Sequence, residues 1–407
     1  MGLIFHDYSK ATTSFCVVAF IKEGMNMVVS IAKCSQYTPE DGSAAIKKVL
    51  EPFGGLDWVK DGMTVGIKAN LVTYFHPDAA ATTHPVLLCE LIKMLRSRGA
   101  NVILGDSPGG LYNHIYVNRI YTATGMKDAE AAGAKLNQDF STKQASFPEA
   151  KAAKTFTYTG WLDNVDAIIN FCKLKTHGMI GMSAAAKNMF GTVPGTTKPE
   201  YHYRFPDPQS FSDMIVDLDE YFKPVISIVD AVVGMEGNGP TAGTPRHIGA
   251  VAASINPHAL DLVCAKIIGI SPENVPTLQA AIKRNLCPAT VGELEIIGDL
   301  ESFCISDYKL VDGTKSIQFN SGSKSKLGKL TGKVIKRLLA SVPKLYPAEC
   351  VGCAECARIC PAKAITMKKR KPVINRKQCI RCFCCQEFCP KGAMKVHRPW
   401  IARKLGK

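Results

Sequence analysis

Sixteen cysteines occur in the chain, and eight of them form two copies of one spacing near the C-terminal end. Each copy has the pattern C-x-x-C-x-x-C-x-x-x-C-P, the run that ligates two cubane 4Fe-4S clusters. In that arrangement the fourth cysteine of each copy ligates the other cluster. The spacing therefore predicts one cluster on Cys350, Cys353, Cys356 and Cys389, and a second on Cys379, Cys382, Cys385 and Cys360.

Other uses of cysteine explain this spacing less well. A zinc ribbon uses two paired C-x-x-C knuckles rather than triplets, and dense disulfides belong to small secreted chains. Cys384 stands between two predicted ligands and is interpreted as a bystander. The two copies resemble the bacterial two-cluster ferredoxin fold over residues 347–398. That resemblance implies an electron relay without an open coordination position, so substrate chemistry is expected elsewhere in the chain.

The preceding part of the chain alternates between strand-like and helix-like sequence. Helical patterns include Pro85–Arg98, followed by Gly99, and Pro257–Ile268, which Asn256 is expected to cap. Short apolar runs typical of buried parallel strands occur at Val28–Ala32, Thr64–Ile67, Asn101–Leu104, Ala167–Phe171, Val225–Val229 and Gly249–Ala253. This order predicts a doubly wound, mostly parallel α/β sheet over residues 27–312. No G-x-G-x-x-G follows a strand, so a nicotinamide or flavin Rossmann site is not supported.

Polar clusters follow four of these strands, at the sheet edge where ligands bind in such folds. They are Lys68 and Asn70 with 82–85, the loop 105–110, the stretch 173–178 continuing to His202, and Asp230 before a glycine-rich loop. Singly, each has an ordinary explanation, because Asp106 and Thr83 could cap helices and a lysine is usually solvated. Together they suit the binding of an anionic group or a metal-bound cofactor. The predicted catalytic pocket consists of Lys68, Asp106, Lys175, His177 and Lys187.

These motifs resemble a large family known as domain of unknown function 362, which is often fused to a ferredoxin module. The resemblance covers about residues 27–310 and implies no reaction. The matching motifs are Lys68-Ala-Asn70-Leu, Thr82-Thr83-His84-Pro85, Gly105-Asp106, Lys173-Leu-Lys175-Thr-His177, Lys187-Asn188 and Pro194-Gly195.

One segment is also similar to the nickel-pincer lactate racemases, in which a histidine precedes a cofactor-holding lysine by ten residues. His177 and Lys187 have that separation, and Pro194-Gly195 follows them. The similarity implies that Lys187 anchors or contacts a cofactor and that His177 is an acid/base or a ligand. The racemases have glycines before the lysine and a histidine where Asp106-Ser107 stands here, so the similarity implies a shared pocket rather than racemase activity.

Three functions are compatible with this pattern. The first is an iron-sulfur oxidoreductase, in which the ferredoxin module supplies one-electron equivalents to the pocket of the α/β domain. The second is an electron-transfer or docking protein without its own catalysis. The third is a non-redox enzyme that uses a metal or a lysine-bound cofactor. A redox partner protein or a small-molecule substrate is implied in each case but not specified.

Basic residues are concentrated at the C-terminal end. Residues 324–407 contain 22 Lys and Arg against three acids, which leaves the first 323 residues with −4 of the net +15. Segment 324–344 holds seven basic residues and no acid, with apolar residues at helical spacing. It is interpreted as a linker helix packed on its own domain, or as a surface that docks on an anionic membrane or an acidic partner. No recognition motif accompanies the charge, so nucleic acid is not an expected partner.

The chain is expected to have four regions. They are an N-terminal extension at 1–26, the α/β domain at 27–312, a basic linker at 313–346, and the two-cluster domain with a basic tail at 347–407. Translation is predicted to start at Met25 or Met27. Air-sensitive clusters and the scattered remaining cysteines predict a reducing cytoplasm, that of an anaerobe. No stretch reaches the ~18 apolar residues of a membrane span.

Overall fold

The computed structural model describes residues 25–311 and 340–399. The predicted extension before Met25 and segment 324–344 up to residue 339 lie outside the described residues. The last residues of that segment belong to a β-strand, Val342–Leu345, and not to a helix.

Within the described residues, nine strands form one large sheet. In chain order they are β1 Val28–Lys33, β2 Thr64–Lys68, β3 Asn101–Gly105, β4 Lys135–Leu136, β7 Ala167–His177, β8 Gly181–Ser183, β9 Ile226–Asn238, β10 Ala242–Ser254 and β11 Glu295–Ile297. Two further strands, β5 Thr142–Ser146 and β6 Thr155–Thr159, form a separate hairpin. The order across the large sheet is β11-β1-β10-β9-β7-β2-β3-β4, and β8 pairs with β7.

All six predicted strands lie in this sheet, which confirms the mostly parallel α/β class. The pairs β2–β3, β2–β7, β3–β4 and β7–β9 are parallel. Strand β10 differs, because it runs antiparallel to both β1 and β9. The turn between β9 and β10 spans only residues 239–241, too few for the crossover that a parallel neighbour needs.

Helices cover both faces of the sheet. They are α1 Pro39–Leu50, α2 Pro85–Ser97, α3 His114–Ala123, α4 Lys127–Ala131, α5 Ala185–Asn188, α6 Lys198–Arg204, α7 Pro208–Phe222, α8 Pro257–Ile267 and α9 Pro276–Lys283. Side chains of a strand point alternately to opposite faces. Accordingly Val28 packs in one apolar core with α1 and α2, and its neighbour Val29 packs in another with α8. Burial of both faces explains why these strands are continuous apolar runs.

The expected helix caps are partly confirmed. Asn256 caps α8, because its side chain accepts hydrogen bonds from the backbone N–H groups of His258 and Ala259. Helix α2 is capped by His84 rather than by Thr83. The Thr83 hydroxyl instead donates to the Phe171 carbonyl at 2.8 Å and accepts from the Asn70 N–H at 3.0 Å. Thr83 therefore connects the middle of β7 to the loop after β2.

The C-terminal unit is small and contains two short antiparallel strand pairs. Strand β12 (Val342–Leu345) pairs with β15 (Met394–His397), and β13 (Ile365–Lys368) pairs with β14 (Lys371–Ile374). Each cysteine repeat carries one short helix, α10 Glu355–Arg358 or α11 Cys384–Glu387. Strand β12 precedes the predicted boundary at residue 347, and we assign it to this unit because of its pairing with β15.

The α/β sheet and the C-terminal unit are in direct contact. Gln386 of α11 is fully buried, and its Nε2 donates to the carbonyls of Asn238 and Gly239 at 2.8 and 3.0 Å. The Val396 N–H donates to Asn238 Oδ1 at 3.2 Å. The cysteine-bearing helix α11 therefore packs on the β9–β10 turn. No helix in the described ranges is long and apolar enough to cross a membrane.

The cap of α8 gives a test of the fold. Asn256→Ala removes the acceptor for two backbone N–H groups and should lower the free energy of unfolding by ~1 kcal/mol. Asn256→Ser retains an acceptor and should cost less. Chemical unfolding of both variants measures the difference, and equal losses would contradict the capping role.

Candidate functional site

An ion pair between Lys68 and Asp106 lies at the ends of β2 and β3. Lys68 Nζ is 2.8 Å from Asp106 Oδ1, and both side chains are buried. Lys68 also donates to Asn188 Oδ1 at 3.2 Å, and Asp106 Oδ2 accepts from the Leu71 N–H at 2.8 Å. Gly191 covers this pair so closely that a Cβ there would collide with both charged groups. Asp106 therefore neutralises Lys68 and is not a helix cap.

Two predicted loops interlock beside this pair. The Ser107 carbonyl accepts from Lys198 Nζ, and the Ser107 hydroxyl accepts from the Gly195 N–H at 2.7 Å. A Cβ at Gly195 would strike the Pro108 carbonyl, so only glycine permits this approach. The loop after β3 and the stretch before α6 thus hold Lys198 in the interior.

Lys187 lies on the short helix α5, and aromatic rings surround its ammonium group. Its Nζ is 4.6 Å from the Phe190 ring centroid and 5.8 Å from that of Phe211. The Asp261 carboxylate accepts from the N–H groups of Ala185 and Ala186 at 2.6 and 3.2 Å, which fixes the start of α5. Lys187 is therefore positioned by a helix that α8 anchors.

Two buried histidines border the same region. His177 Nδ1 accepts from the Met179 N–H at 3.1 Å, so a neutral ring carries its proton on Nε2. Among the described residues His177 Nε2 has no hydrogen-bond partner, and His202 Nδ1 also has none. The His202 ring stacks on Phe211 at 4.4 Å. An unpartnered buried polar atom is costly, and two such atoms beside the lysines indicate a place for a ligand.

Lys175 completes the group from strand β7. Its Nζ donates to Asn70 Oδ1 and to the Ala81 carbonyl, both at 2.6 Å. We call the set Lys175, His177, Lys187, Lys198 and His202 the lysine pocket. The structure brings all five predicted catalytic residues together, because Lys68 and Asp106 form the ion pair beside this pocket.

Burial governs the protonation of the lysine pocket. It lowers the pKa of Lys175 to about 7, and the Glu387 carboxylate of the C-terminal unit acts in the opposite direction. Burial lowers the pKa of Lys198 to about 7, opposed by Asp106. The pKa of Lys187 is also lowered by burial and raised back in part by Glu387. Within the described residues no carboxylate forms an ion pair with any of these three lysines, in contrast to Lys68 and Lys173.

The fourth predicted cluster forms a separate arrangement. Lys173 Nζ is 2.9 Å from Asp230 Oδ2, and the Tyr37 hydroxyl donates to Asp230 Oδ1 at 2.9 Å. The Tyr37 ring stacks on His84 at 3.6 Å. Burial lowers the pKa of His84 to about 4, which keeps it neutral. Lys173 is thus an internally paired charge, although it lies two residues from Lys175.

Two groups of thiols lie in the C-terminal unit. One cavity is lined by the whole first ligand set, Cys350, Cys353, Cys356 and Cys389. Burial raises the pKa of Cys385. Neighbouring thiolates raise it further, and they include the other three members of the second ligand set, Cys382, Cys379 and Cys360. The described residues hold no group of three or more His, Cys, Asp or Glu arranged for a single ion. Four thiolates that bind the corners of a cube stand farther apart than the ligands of one ion, so the lack of a single-ion site among the described residues is compatible with cluster binding.

Helix α11 carries Cys385 of the second thiol group and packs next to the lysine pocket. A Cβ at Gly178, next to His177, would meet Gln386 and Val396 of the C-terminal unit. Cys384, the first residue of α11, is fully buried, and burial raises the pKa of its thiol, which keeps it protonated. Cys384 is thus a buried, protonated side chain next to the predicted ligand Cys385, and its interpretation as a bystander stays a prediction.

A cleft of about 170 Å³ lies where the two units meet. Tyr74, Tyr116 and Gly109 line the side formed by the α/β domain, and Cys353 and Glu387 line the other. Clefts between domains are frequent ligand sites. This cleft therefore offers an approach to both the first thiol group and the neighbourhood of Glu387.

Sequence reasoning missed several residues that shape these sites. Tyr37, Phe211, Asp261 and Glu387 were not predicted, because each acts through a partner that is distant in sequence, and Phe190 was not predicted either. A local signal existed only for Phe190, which lies three residues after Lys187.

Comparison with known proteins identifies both parts of the chain. A family model described as "Domain of unknown function (DUF362)" matches residues 65–266. A model described as "4Fe-4S dicluster domain" (Fer4_10) matches residues 343–390. Thylakoid-associated protein sll1697 of Synechocystis sp. is 31% identical over 303 residues, which cover 72% of this chain and 91% of that protein. The chain therefore belongs to the DUF362 family and carries a C-terminal 4Fe-4S dicluster domain, as its motifs predicted.

The lactate racemase apoprotein from Thermoanaerobacterium thermosaccharolyticum is a solved structure with which the chain aligns. The TM-score is 0.40 and the identity 13%, over 60% of this chain and 57% of that structure. The chain thus spans little more than half of that structure's length.

The lowered pKa of Lys175 predicts a pH dependence of stability. Since burial moves the pKa from 10.5 to about 7, the unfolded chain binds one proton more than the folded chain between these values. The free energy of unfolding should therefore rise with pH across this window, by up to ~1.4 kcal/mol per pH unit from this group. Lys175→Met should flatten the rise, measured by urea unfolding with tryptophan fluorescence at several pH values.

Lys143 on β5 is exposed and provides the matched control. Lys143→Met should leave the pH dependence of the wild-type chain unchanged. An equal slope in wild type and Lys175→Met would show that Lys175 is not held with a lowered pKa.

Proposed function

We propose that the protein is an iron-sulfur oxidoreductase that uses two 4Fe-4S clusters to exchange electrons with a ligand bound in the lysine pocket. The observation that carries the proposal is the position of α11. This helix carries the predicted cluster ligand Cys385, and it packs on the β9–β10 turn and against Gly178, next to His177. The ligand-bearing helix therefore forms part of the wall of the pocket.

The proposed ligand sets are those with exchanged fourth cysteines. The cavity that contains Cys389 together with Cys350, Cys353 and Cys356 supports the first set. A bound 4Fe-4S cube supplies one-electron redox chemistry and leaves no coordination position for a substrate. The protein must then bind and orient the substrate with its own side chains, and the lysine pocket is where such side chains are concentrated.

The pocket residues have distinct proposed roles. Lys187 and Lys198 hold the ligand, because both ammonium groups lie within 6 Å of the Phe190 ring and lack carboxylate partners in the described residues. His177 donates through Nε2–H and is the proposed proton source or sink at the bound ligand. Lys68 and Asp106 position the surrounding loops through their ion pair. All five side chains of the pocket are buried, so a ligand held there would be largely shielded from bulk water.

A simple electron carrier is the second candidate function. It is favoured by the interdomain cleft, because Cys353 is an exposed member of the first thiol group and lines that cleft. In this case the pocket would be a structural feature and the partner would dock at the cleft. The two functions differ in whether a small molecule or only a protein exchanges electrons with the chain.

We also propose a reducing cytoplasmic location with docking at a membrane surface. The relative from Synechocystis sp. is named thylakoid-associated, and segment 324–344 of this chain is strongly basic. Basic residues near an anionic surface each contribute ~1 kcal/mol to association.

The ligand sets can be tested by substitution. Anaerobically prepared protein should contain about eight irons, two cubes of four. Cys353→Ser should disturb one cluster and Cys360→Ser the other, although both cysteines belong to the first repeat. Electron paramagnetic resonance of the reduced variants distinguishes the two clusters. If both substitutions altered the same signal, the exchange of fourth ligands would be wrong.

The function can be tested by reoxidation. Protein reduced anaerobically should be reoxidised by a small-molecule fraction of the source cells, with a rate that saturates. Lys187→Met should abolish the saturable phase while iron content and cluster spectra persist, because the methionine keeps the apolar stem between Phe190 and Phe211. The exposed Lys143→Met is the control and should behave as wild type.

Two outcomes would oppose this function. Reoxidation that is equally fast in Lys187→Met would remove the pocket from the electron path. Reoxidation only by the protein fraction would instead support the electron carrier.

A further inference from the structure

The lysine pocket contains many hydrogen-bond donors and few acceptors. The ammonium groups of Lys187 and Lys198 and the Nε2–H of neutral His177 are donors on buried side chains, and among the described residues His177 Nε2 has no hydrogen-bond partner. The Lys187 ammonium contacts only the faces of Phe190 and Phe211 among the interactions of the described residues. A ligand for this pocket must therefore supply acceptors, and an anion supplies the strongest ones.

The charge of the pocket limits the charge of its ligand. Lys175, Lys187 and Lys198 contribute three positive charges when protonated. Asp106 is already paired with Lys68, so it is not a further counter-ion. Glu387 is the carboxylate that acts on all three lysines from the C-terminal unit. Two positive charges are left without a counter-charge, and a buried charge without one is unfavourable.

We propose that the lysine pocket binds a small dianion, a dicarboxylate or a phosphate monoester. Its oxygens accept hydrogen bonds from Lys187, Lys198 and the Nε2–H of His177. The proposal deepens the proposed function by naming the chemical class of the ligand. A monoanion would leave one ammonium group uncompensated, and a metal cation would meet like charge and few acceptors.

The location of the bound dianion follows from the contacts of the pocket. Lys187 and Lys198 both lie against the Phe190 ring, at 4.6 and 5.7 Å from its centroid, so one small ligand can reach both. His202 lies against the same ring at 5.7 Å. His177 approaches from the β7–β8 hairpin, beside the C-terminal unit. The ligand would then lie between the aromatic pair and the helix that carries Gln386.

Binding should be coupled to proton uptake. The titratable groups around Lys175 are Lys173, His177, Lys187, Asp106 and Glu387, and those around Lys198 are Lys68, Lys187, His202, Asp106 and Glu387. With burial as the largest influence, both lysines have a pKa of about 7 in the free protein. A bound dianion favours the protonated forms, so its affinity should fall as the pH rises above about 7.

Calorimetric titration of the oxidised, anaerobically purified full-length chain tests the proposal. Malonate serves as the dicarboxylate probe, inorganic phosphate as the phosphoryl probe and acetate as the monoanion, all at equal ionic strength. One dianion should bind at least ~10-fold more tightly than acetate, and the better of the two identifies the class. Malonate is doubly ionised from about pH 7 to 9, so its weaker binding at the higher pH would report the lysines.

Variants assign the binding to the pocket. Lys187→Met should weaken the better dianion at least ~10-fold, while the exposed Lys143→Met should not change it. Lys198→Met provides a second comparison if the first variant loses its iron or its circular dichroism spectrum. Equal affinities for both dianions and acetate, or unchanged affinity in a folded pocket variant, would overturn the proposal. The assay requires no electron transfer, so the dianion site and the oxidoreductase function can fail separately.

Discussion

The arrangement of the functional residues depends on three buried ammonium groups that lack carboxylate partners in the described residues. Burying a charge without a counter-ion is among the least favourable contributions to folding, and these groups respond with lowered pKa values. The surrounding structure keeps them inside: Asn70 and Ala81 bind Lys175, Ser107 binds Lys198, and Asp261 anchors the helix of Lys187. A site maintained against this cost is typical of function.

The C-terminal unit forms part of the same site. Gln386 donates to the β9–β10 turn, and Gly178 allows the unit to approach His177 closely. Glu387, like Asp106, contributes a negative charge that raises the pKa of all three lysines. Without this unit the pocket would lack the Glu387 carboxylate and the wall next to His177. This dependence gives a physical reason for the presence of the iron-sulfur domain and the DUF362 domain in one chain.

The fold was predictable where the signal is local. Apolar runs such as Val28–Ala32 and Ala167–Phe171 predicted strands, and Asn256 predicted a helix start, because each depends on neighbouring residues. The antiparallel direction of β10 was not predicted, because it depends on the short turn that joins β10 to β9. The roles of Thr83 and Asp106 also differed from simple caps, because their partners Phe171 and Lys68 come from other strands.

By itself, the sequence determined the iron-sulfur domain, the α/β class and the set of polar residues at the strand ends. Cysteine spacing and strand periodicity are local patterns, so they can be recognised without knowledge of the fold. Tertiary structure alone decided that Lys173 is neutralised by Asp230 whereas Lys175 faces the pocket. It also placed Tyr37 beside Asp230, which lies 193 residues away in the sequence, and Phe190 beside Phe211. Charge pairing and burial arise from contacts between distant segments, and no spacing along the chain encodes them.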